Sequence, residues 1–214
     1  NGHFDGKFKY STISQSIASI VQNYLPSLSG TNVIRKQKTN GFDNFVEVDL
    51  AINETKQFSK VLELPFVLNG TTTIKGYIDD VNDKLQIDSE TPLLYLGRNQ
   101  FRNLKLVLDN ENKHFNVLAN GSLKLKNDEL NLNLNATAAN DSVFTQFAWQ
   151  NNDTVVNAGE IQAYTKIFKE NNLTSARINF LPTQLVVFDS IWNVRPSLVE
   201  FKPDSTIDVH RFQL

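Results

Sequence analysis

Apolar and polar residues alternate without interruption over residues 129–138. Because successive side chains of a β-strand point to opposite faces of its sheet, this pattern predicts a strand with one apolar and one polar face. The same alternation recurs along most of the chain, and turn residues such as Asn140-Asp141 separate the segments. About thirteen strands with short connections indicate an all-β protein in which consecutive strands pair antiparallel.

Two Asn-Gly pairs and one proline refine this strand pattern. Asn69-Gly70 and Asn120-Gly121 are typical of tight hairpin turns, so we expect the chain to reverse direction at both. Residues 61–68 are apolar almost throughout but contain Pro65, which lacks a backbone donor, and this favours an edge strand or a bent strand.

One segment near the N-terminus has helical rather than strand periodicity. Between residues 10 and 25, apolar side chains recur every three or four positions, and Pro26 marks the end of the segment. The opposite side of this predicted helix is polar but uncharged, which favours packing on a sheet over binding to a membrane surface. We therefore expect a helix-containing N-terminal segment, residues 1–40, that packs on an antiparallel β-structure formed by residues 41–214.

The composition of the 214-residue chain is globular, with 40% hydrophobic and 21% charged residues. The net charge of −2 and the dispersed lysines and arginines argue against a nucleic-acid partner, since phosphates are neutralised by clustered basic side chains. The sequence has no cysteine, no signal peptide and no apolar run of about 18 residues that would span a membrane. It also lacks methionine, and we expect it to be a piece of a much longer protein.

No motif in the sequence predicts catalysis, a metal centre or a cofactor site. His3, His114 and His210 lie far apart without metal-ligand spacing, and no Gly-x-Ser-x-Gly nucleophile motif occurs. Residues 79–83 resemble part of a calcium loop but lack its glycine and distal glutamate, so a turn is the better interpretation. The sequence therefore predicts a non-enzymatic protein without a cofactor or a metal ion.

The apolar faces of so many strands need a partner surface. Full burial of one leucine side chain contributes roughly 1.5–3 kcal/mol, so these faces will not stay in water, and one helix can cover only a few strands. A two-layer sandwich, a closed barrel or a trough that holds an apolar ligand would each solve this problem. The predicted wall of such a trough comprises Val48, Leu50, Ile74, Ile78, Leu85, Ile87, Leu104, Leu106, Leu108, Leu123, Leu125, Leu130, Leu132, Leu134, Val143, Phe147 and Trp149.

Six blocks of sequence combine alternating residues with asparagine or glycine turns. They are NGSLKL at residues 120–125, ELNLNL at 129–134, FAW at 147–149, NAGEI at 157–161, FDSIWNV at 188–194 and STIDV at 205–209. Together they resemble the repetitive β-rich region of the TamB and AsmA-like family, and the resemblance covers most of residues 40–214.

This resemblance implies a fold and a function. The fold would be an elongated antiparallel sheet curled into a U-shaped, taco-like β-groove. The chain would be a periplasmic segment of a protein anchored in the inner membrane. Its groove would conduct phospholipid acyl chains between the inner and outer membranes and support outer-membrane protein assembly. An outer-membrane barrel would be a partner of the missing C-terminal region.

The residues leave an alternative open and suggest one further property. Many asparagines, together with Trp149 and Trp192, suggest a secreted or surface β-sandwich module that binds a glycan or a protein. If the chain is instead an excised piece of a continuous sheet, its first and last strands are unpaired edges, and we expect edge-to-edge self-association.

Overall fold

The computed structural model describes residues 2–28, 44–61, 63, 65–126 and 128–210 of the chain. These residues form one antiparallel sheet of 14 strands that is not closed into a barrel, with one long helix near the N-terminus. The predicted all-β class with an N-terminal helix is confirmed, and the alternative of two packed sheets is not what the chain forms. The helices are α1 (Tyr10–Tyr24) and α2 (Lys56–Val61), and 3-10 turns occupy Pro26–Leu28 and Glu111–Lys113. The strands are β1 (Gly2–Lys7), β2 (Phe45–Glu54), β3 (Phe66–Asp79), β4 (Lys84–Leu96), β5 (Asn99–Asp109), β6 (Phe115–Lys124), β7 (Glu129–Ala139), β8 (Ser142–Asn151), β9 (Ala158–Glu170), β10 (Leu173–Phe180), β11 (Thr183–Val187), β12 (Ser190–Val194), β13 (Ser197–Phe201) and β14 (Ile207–His210).

The strands follow one another in the sheet almost in the order of the chain, as the short connections predict. The path runs from β1 to β10 and continues through β13 to β14. β11 pairs with the first residues of β9 and with β12, so the β11–β12 hairpin prolongs the strands β10 and β13. Leu181-Pro182 and Arg195-Pro196 interrupt the two prolonged strands at neighbouring positions. These interruptions fit the missing backbone donor of proline.

Two predicted hairpins and one predicted strand are wrong. Asn69-Gly70 lies inside β3 and Asn120-Gly121 lies inside β6, and neither strand reverses there. At the first pair the register between β3 and β4 shifts, so the glycine serves a bulge instead of a turn. At the second pair, Gly121 lies under Leu104, and an added Cβ would be 2.6 Å from Leu104 Cδ2. The strand predicted over residues 61–68 is divided between the end of α2 and the start of β3.

The first strand, β1, has no counterpart in the sequence prediction. β1 pairs with β2 along its whole length, so residues of the N-terminal segment belong to the sheet itself. All six residues of β1 are exposed, and therefore no apolar alternation marks it as a strand. The boundary expected at residue 40 lies outside the described residues, and so does the end of the last predicted strand at residues 211–214.

The helix α1 lies across one end of the sheet and contacts both halves of it. Ile20 belongs to a buried cluster with Val46 of β2, whereas Leu25, directly after the helix, packs with Ile167 of β9. In a flat sheet, seven strand spacings of about 4.8 Å would separate β2 from β9 by about 34 Å, but a 15-residue helix is only about 22 Å long. The sheet therefore curls around the helix, which agrees with the predicted U-shaped groove.

Hydrogen bonds fix the helix to the sheet at both of its termini. Near its start, Asn44 Nδ2 donates to Ser16 Oγ at 2.8 Å, and Ser16 Oγ donates to Asp80 Oδ2 at 3.1 Å. Just after its end, Asp141 accepts from the backbone N–H of Ser27 at 2.7 Å and from its hydroxyl at 2.9 Å. The β3–β4 and β7–β8 turns that supply these partners lie at one end of the sheet. We call it the helix end, and we call the opposite end the open end.

The segment compared above with a calcium loop forms the β3–β4 turn. Asp79 Oδ1 accepts from the backbone N–H groups of Val81 at 3.1 Å and Asn82 at 3.0 Å, and Asn82 Nδ2 donates to Asp79 Oδ2 at 2.6 Å. These bonds, that of the Asn82 side chain above all, hold the pKa of Asp79 below the ordinary value of an aspartate. The carboxylate therefore acts as a local cap of the turn.

Candidate functional site

The strand register places 16 of the 17 predicted wall residues on one face of the sheet, which we call the apolar face. Directly opposed residues of an antiparallel pair point to the same side. Ile87 opposes Leu108, Leu123 opposes Leu130, and the same relation continues from strand to strand across β2 to β8. The exception is Leu125, which lies beyond the end of β6 and is exposed at the open end.

Five of the predicted wall residues are part of the protein core. They pack within or against the two buried clusters that α1 and Leu25 form with the sheet: Val48, Ile78, Leu85, Ile87 and Val143. At the helix end, the protein itself therefore covers the apolar face.

The other eleven predicted wall residues lie outside these clusters, and all of them except Leu108 lie towards the middle or the open end of their strands. Each of them is half-buried: Leu50, Ile74, Leu104, Leu106, Leu108, Leu123, Leu130, Leu132, Leu134, Phe147 and Trp149. Among the described residues only eight apolar side chains are fully buried, and all of them except Ala163 belong to the clusters at the helix. Beyond the helix, the apolar face thus resembles the wall of an open groove more than the interior of a packed domain.

Sequence reasoning missed several large apolar residues on the same face, among them Leu94, Phe101, Ile161, Leu185 and Trp192. Their positions follow from the register. Leu94 opposes Phe101, which in turn opposes the predicted wall residue Leu123. Ile161 opposes Phe147, and Leu185 opposes Trp192. Interruptions of the alternation hid several of them. In β4, the residues on the apolar face have odd numbers before Pro92 and even numbers after it. In β5, they have odd numbers before Asn103, whose φ is +49°, and even numbers after it.

An aromatic pair and a glycine shape the apolar face near the open end. The ring centroids of Phe147 and Trp149 are 5.8 Å apart. Trp149 and Leu185 both lie over Gly159 of β9, where an added Cβ would be 2.5 Å from Trp149 Cζ2 and 2.7 Å from Leu185 Cδ2. The glycine therefore leaves room for two large side chains to lie close to the sheet.

The chemistry of the wall is that of a site for apolar ligands. Its predicted members are aliphatic or aromatic, so they supply no acid, base or nucleophile. They can stabilise a bound hydrocarbon through the area that it removes from water, at about 25 cal/mol for each Å².

The opposite, polar face carries amides and ion pairs. Near the last strand, Glu200, Asp208 and His210 bring three potential metal-ligand atoms within 4.8 Å of one another. Both carboxylates already bind cations, because Arg177 Nε lies 2.6 Å from Glu200 Oε1 and Lys202 forms a close ion pair with Asp208. The hydrogen bond that Lys202 donates to Asp208 raises the pKa of Lys202. We therefore interpret this cluster as an ion-pair network of the polar face.

The candidate site is formed by the curled sheet as a whole and not by a single sequence motif.

The helices of the described residues are all too short or too polar to cross a membrane. Comparisons with protein-family models, with characterised proteins and with solved structures gave no match to this chain.

Proposed function

We propose that the chain is a segment of a TamB- or AsmA-like protein that spans the periplasm, and that its apolar groove conducts phospholipid acyl chains between the inner and outer membranes. In this proposal, the segment acts without catalysis, belongs to a protein anchored in the inner membrane, and supports outer-membrane protein assembly with an outer-membrane barrel as partner. The observation that carries the proposal is the row of half-buried apolar side chains, most of them leucines, outside the helix contacts. It continues from β2 to β8 without a second protein layer among the described residues.

Each lipid contact in this groove is a contact between hydrocarbon groups. Leu132 illustrates this, because it opposes Gly121 on one side and Trp149 on the other. The Leu104 side chain lies over that glycine, and the indole offers a broad apolar surface on the other side. An acyl chain that lies along such a row buries its own methylenes and those of the wall together, at about 0.8 kcal/mol per buried CH₂.

The decisive experiment replaces Leu132 with aspartate and measures labelling by a phosphatidylethanolamine that carries a diazirine in its acyl chain. We expect labelling to fall at least about tenfold, because a leucine contact is worth roughly 1.5–3 kcal/mol and 1.4 kcal/mol is a factor of ten in affinity. Circular dichroism of both proteins checks that the sheet is retained.

Leu118 provides the matched control. It lies in the neighbouring strand β6 but opposes Asn135, so its side chain projects from the polar face. Leu118→Asp should label like the wild-type chain. Equal labelling of Leu132→Asp and the wild-type chain, with both folded, would contradict the proposal.

The edges of the sheet lead to a second expectation. Within the described residues, β1 pairs only with β2, and β14 pairs only with β13. No further described strand pairs with their outer sides, and exposed sheet edges pair readily with other chains. We expect sedimentation velocity to detect dimers and larger species that grow with protein concentration. A single monomeric species at the highest concentration reached would contradict edge-to-edge association.

The alternative of a glycan-binding or protein-binding sandwich module has no comparable support. It predicts a closed, dry core and aromatic residues exposed together on an outer surface. Trp149 and Trp192 instead share the apolar face, so no described feature favours this function over the groove.

A further inference from the structure

The two most exposed large apolar side chains among the described residues, Phe188 and Ile191, belong to a tip at the open end of the sheet. Two segments form this tip: the β8–β9 connection and the turn of the β11–β12 hairpin. Phe188 is 72% exposed, Ile191 67% and Trp192 45%. We define the apolar tip by its five exposed large side chains: Val155, Val156, Phe188, Ile191 and Trp192.

Phe188 has a backbone conformation that is unfavourable for an aromatic residue. Phe188 and Asp189 have φ values of +48° and +60°, the left-handed conformation that glycine and asparagine adopt most readily. The equivalent turns Asn140-Asp141 and Asn171-Asn172 follow that preference. A bulky aromatic in this position costs backbone energy as well as exposing apolar area. Neither cost is offset by packing within the described sheet, which points to a role in binding.

The tip is held rigid by hydrogen bonds between its two segments. The backbone N–H of Asp189 donates to the carbonyl oxygen of Val156 at 3.1 Å, and the backbone N–H of Val156 donates to Asp189 Oδ1 at 2.7 Å. The backbone N–H of Phe188 donates to Asn157 Oδ1 at 3.0 Å. Beneath them, the buried Asn151 donates to the carbonyl oxygen of Val155 at 2.8 Å. The tip is therefore prearranged, and little conformational entropy is lost when it binds.

The shape and chemistry of the tip select its partner. It is a projecting connection and turn at the end of two hairpins, not a broad flat surface of the kind that two proteins bury between them. Residues 152–157 and 187–193 contain no lysine or arginine. Their two acidic residues, Asp153 and Asp189, accept hydrogen bonds from the backbone N–H groups of Thr154 and Val156, and the remaining polar residues are asparagine, serine and threonine. Aromatic and aliphatic side chains beside a polar rim match the interface of a lipid bilayer, where tryptophan is enriched.

The tip is also continuous with the groove. Trp192 opposes Leu185, Leu185 opposes Gly159, and Gly159 opposes Trp149. The apolar face thus extends without a polar interruption from the aromatic pair of the groove to the exposed tip. We infer that the apolar tip inserts into the surface of a phospholipid bilayer and docks the open end of the groove on the membrane.

The substitution Phe188→Asn tests this inference without threatening the fold. Asparagine suits the left-handed turn better than phenylalanine, so the variant should be at least as stable as the wild-type chain. We expect its binding to vesicles of pure phosphatidylcholine, measured by flotation, to fall at least about tenfold, since a buried phenylalanine contributes more than the 1.4 kcal/mol that corresponds to that factor. Tyr164→Asn, at an exposed position of the polar face, is the matched control and should leave binding unchanged.

Trp192 supplies an independent readout. The chain has two tryptophans, so Trp149→Phe leaves Trp192 as the single indole. We expect its emission to shift to the blue when phosphatidylcholine vesicles are added, and lipids brominated in the acyl chain to quench it. Moderate salt should not reverse the effect, because the tip carries no basic residue.

Three results would overturn the inference: no binding of the wild-type chain, unchanged binding of Phe188→Asn, or binding that requires anionic lipid and disappears with salt. A change from dimer to monomer in Phe188→Asn with unaltered vesicle binding would instead assign the tip to a second copy of the chain. The experiments test membrane docking and the proposed groove independently. Leu132→Asp should still bind vesicles, and Phe188→Asn should still be labelled by the diazirine lipid.

Discussion

Replacing Ile20 with alanine is expected to lower the free energy of unfolding by about 2–5 kcal/mol. Ile20 is completely buried in α1 and packs in one cluster with Val46, Ile78 and Leu85 from three neighbouring strands. The truncation leaves a cavity that the strands cannot fill without bending the sheet. The loss should be measured by chemical denaturation followed by circular dichroism.

Ile191→Ala is the matched control for this measurement. Ile191 is a residue of the same type, but it lies at the apolar tip in contact with water. Its truncation should change the free energy of unfolding by less than about 0.5 kcal/mol. A cost below about 1 kcal/mol for Ile20→Ala would show that the helix is not seated in the sheet as described, because loss of a packed isoleucine costs more.

Substitution of Gly76 by alanine is expected to be nearly as damaging. Gly76 lies in the middle of β3, between β2 and β4, and an added Cβ would be 2.0 Å from the backbone oxygen of Gln86. Because main-chain atoms cannot rotate away as a side chain can, we expect a loss of about 3 kcal/mol, the upper end of the usual cost of overpacking. Chemical denaturation again provides the measurement.

Gly97 separates this steric effect from the general cost of replacing a glycine. It lies in the β4–β5 turn with a φ of +60°, and an added Cβ would meet no atom within 4 Å. Gly97→Ala should therefore cost only the strain of a left-handed alanine, about 1–2 kcal/mol. If the two variants are equally destabilised, the close approach of β3 and β4 at Gly76 does not exist.

The strands and their apolar face follow from the sequence because period-2 alternation depends only on local geometry. Residues 129–138 alternate without interruption, and β7 occupies all of them. The pairing order also follows, since short connections leave consecutive strands little choice but to pair. The same local reasoning fails at Asn69-Gly70, where the neighbouring strands β2 and β4 keep the chain extended and convert a hairpin signal into a bulge.

The groove is less predictable than the strands that form it. Alternation identifies Leu132 and Leu134 as members of one face, but cannot reveal that Val48 and Ile87 pack against the cluster around α1 whereas those leucines do not. Which residues the helix covers depends on contacts over long stretches of chain, such as that between Ser27 and Asp141. The apolar tip is unpredictable for a similar reason, because the hydrogen bonds between Val156 and Asp189 that join its two segments cross 33 residues.

The position of α1 also has a consequence for how the chain folds and unfolds. Nearly every strand pairs with its neighbours in sequence, so most of the sheet resembles a repeat array that can grow or fray one strand at a time. The helix and the turn after it break that rule, since Ser27 donates to Asp141 across 114 residues and its carbonyl oxygen accepts from the hydroxyl of Thr174 across 147 residues. They thereby couple the first strands to β9 and β10, and they turn a sheet that would otherwise melt gradually from its edges into a more cooperative unit.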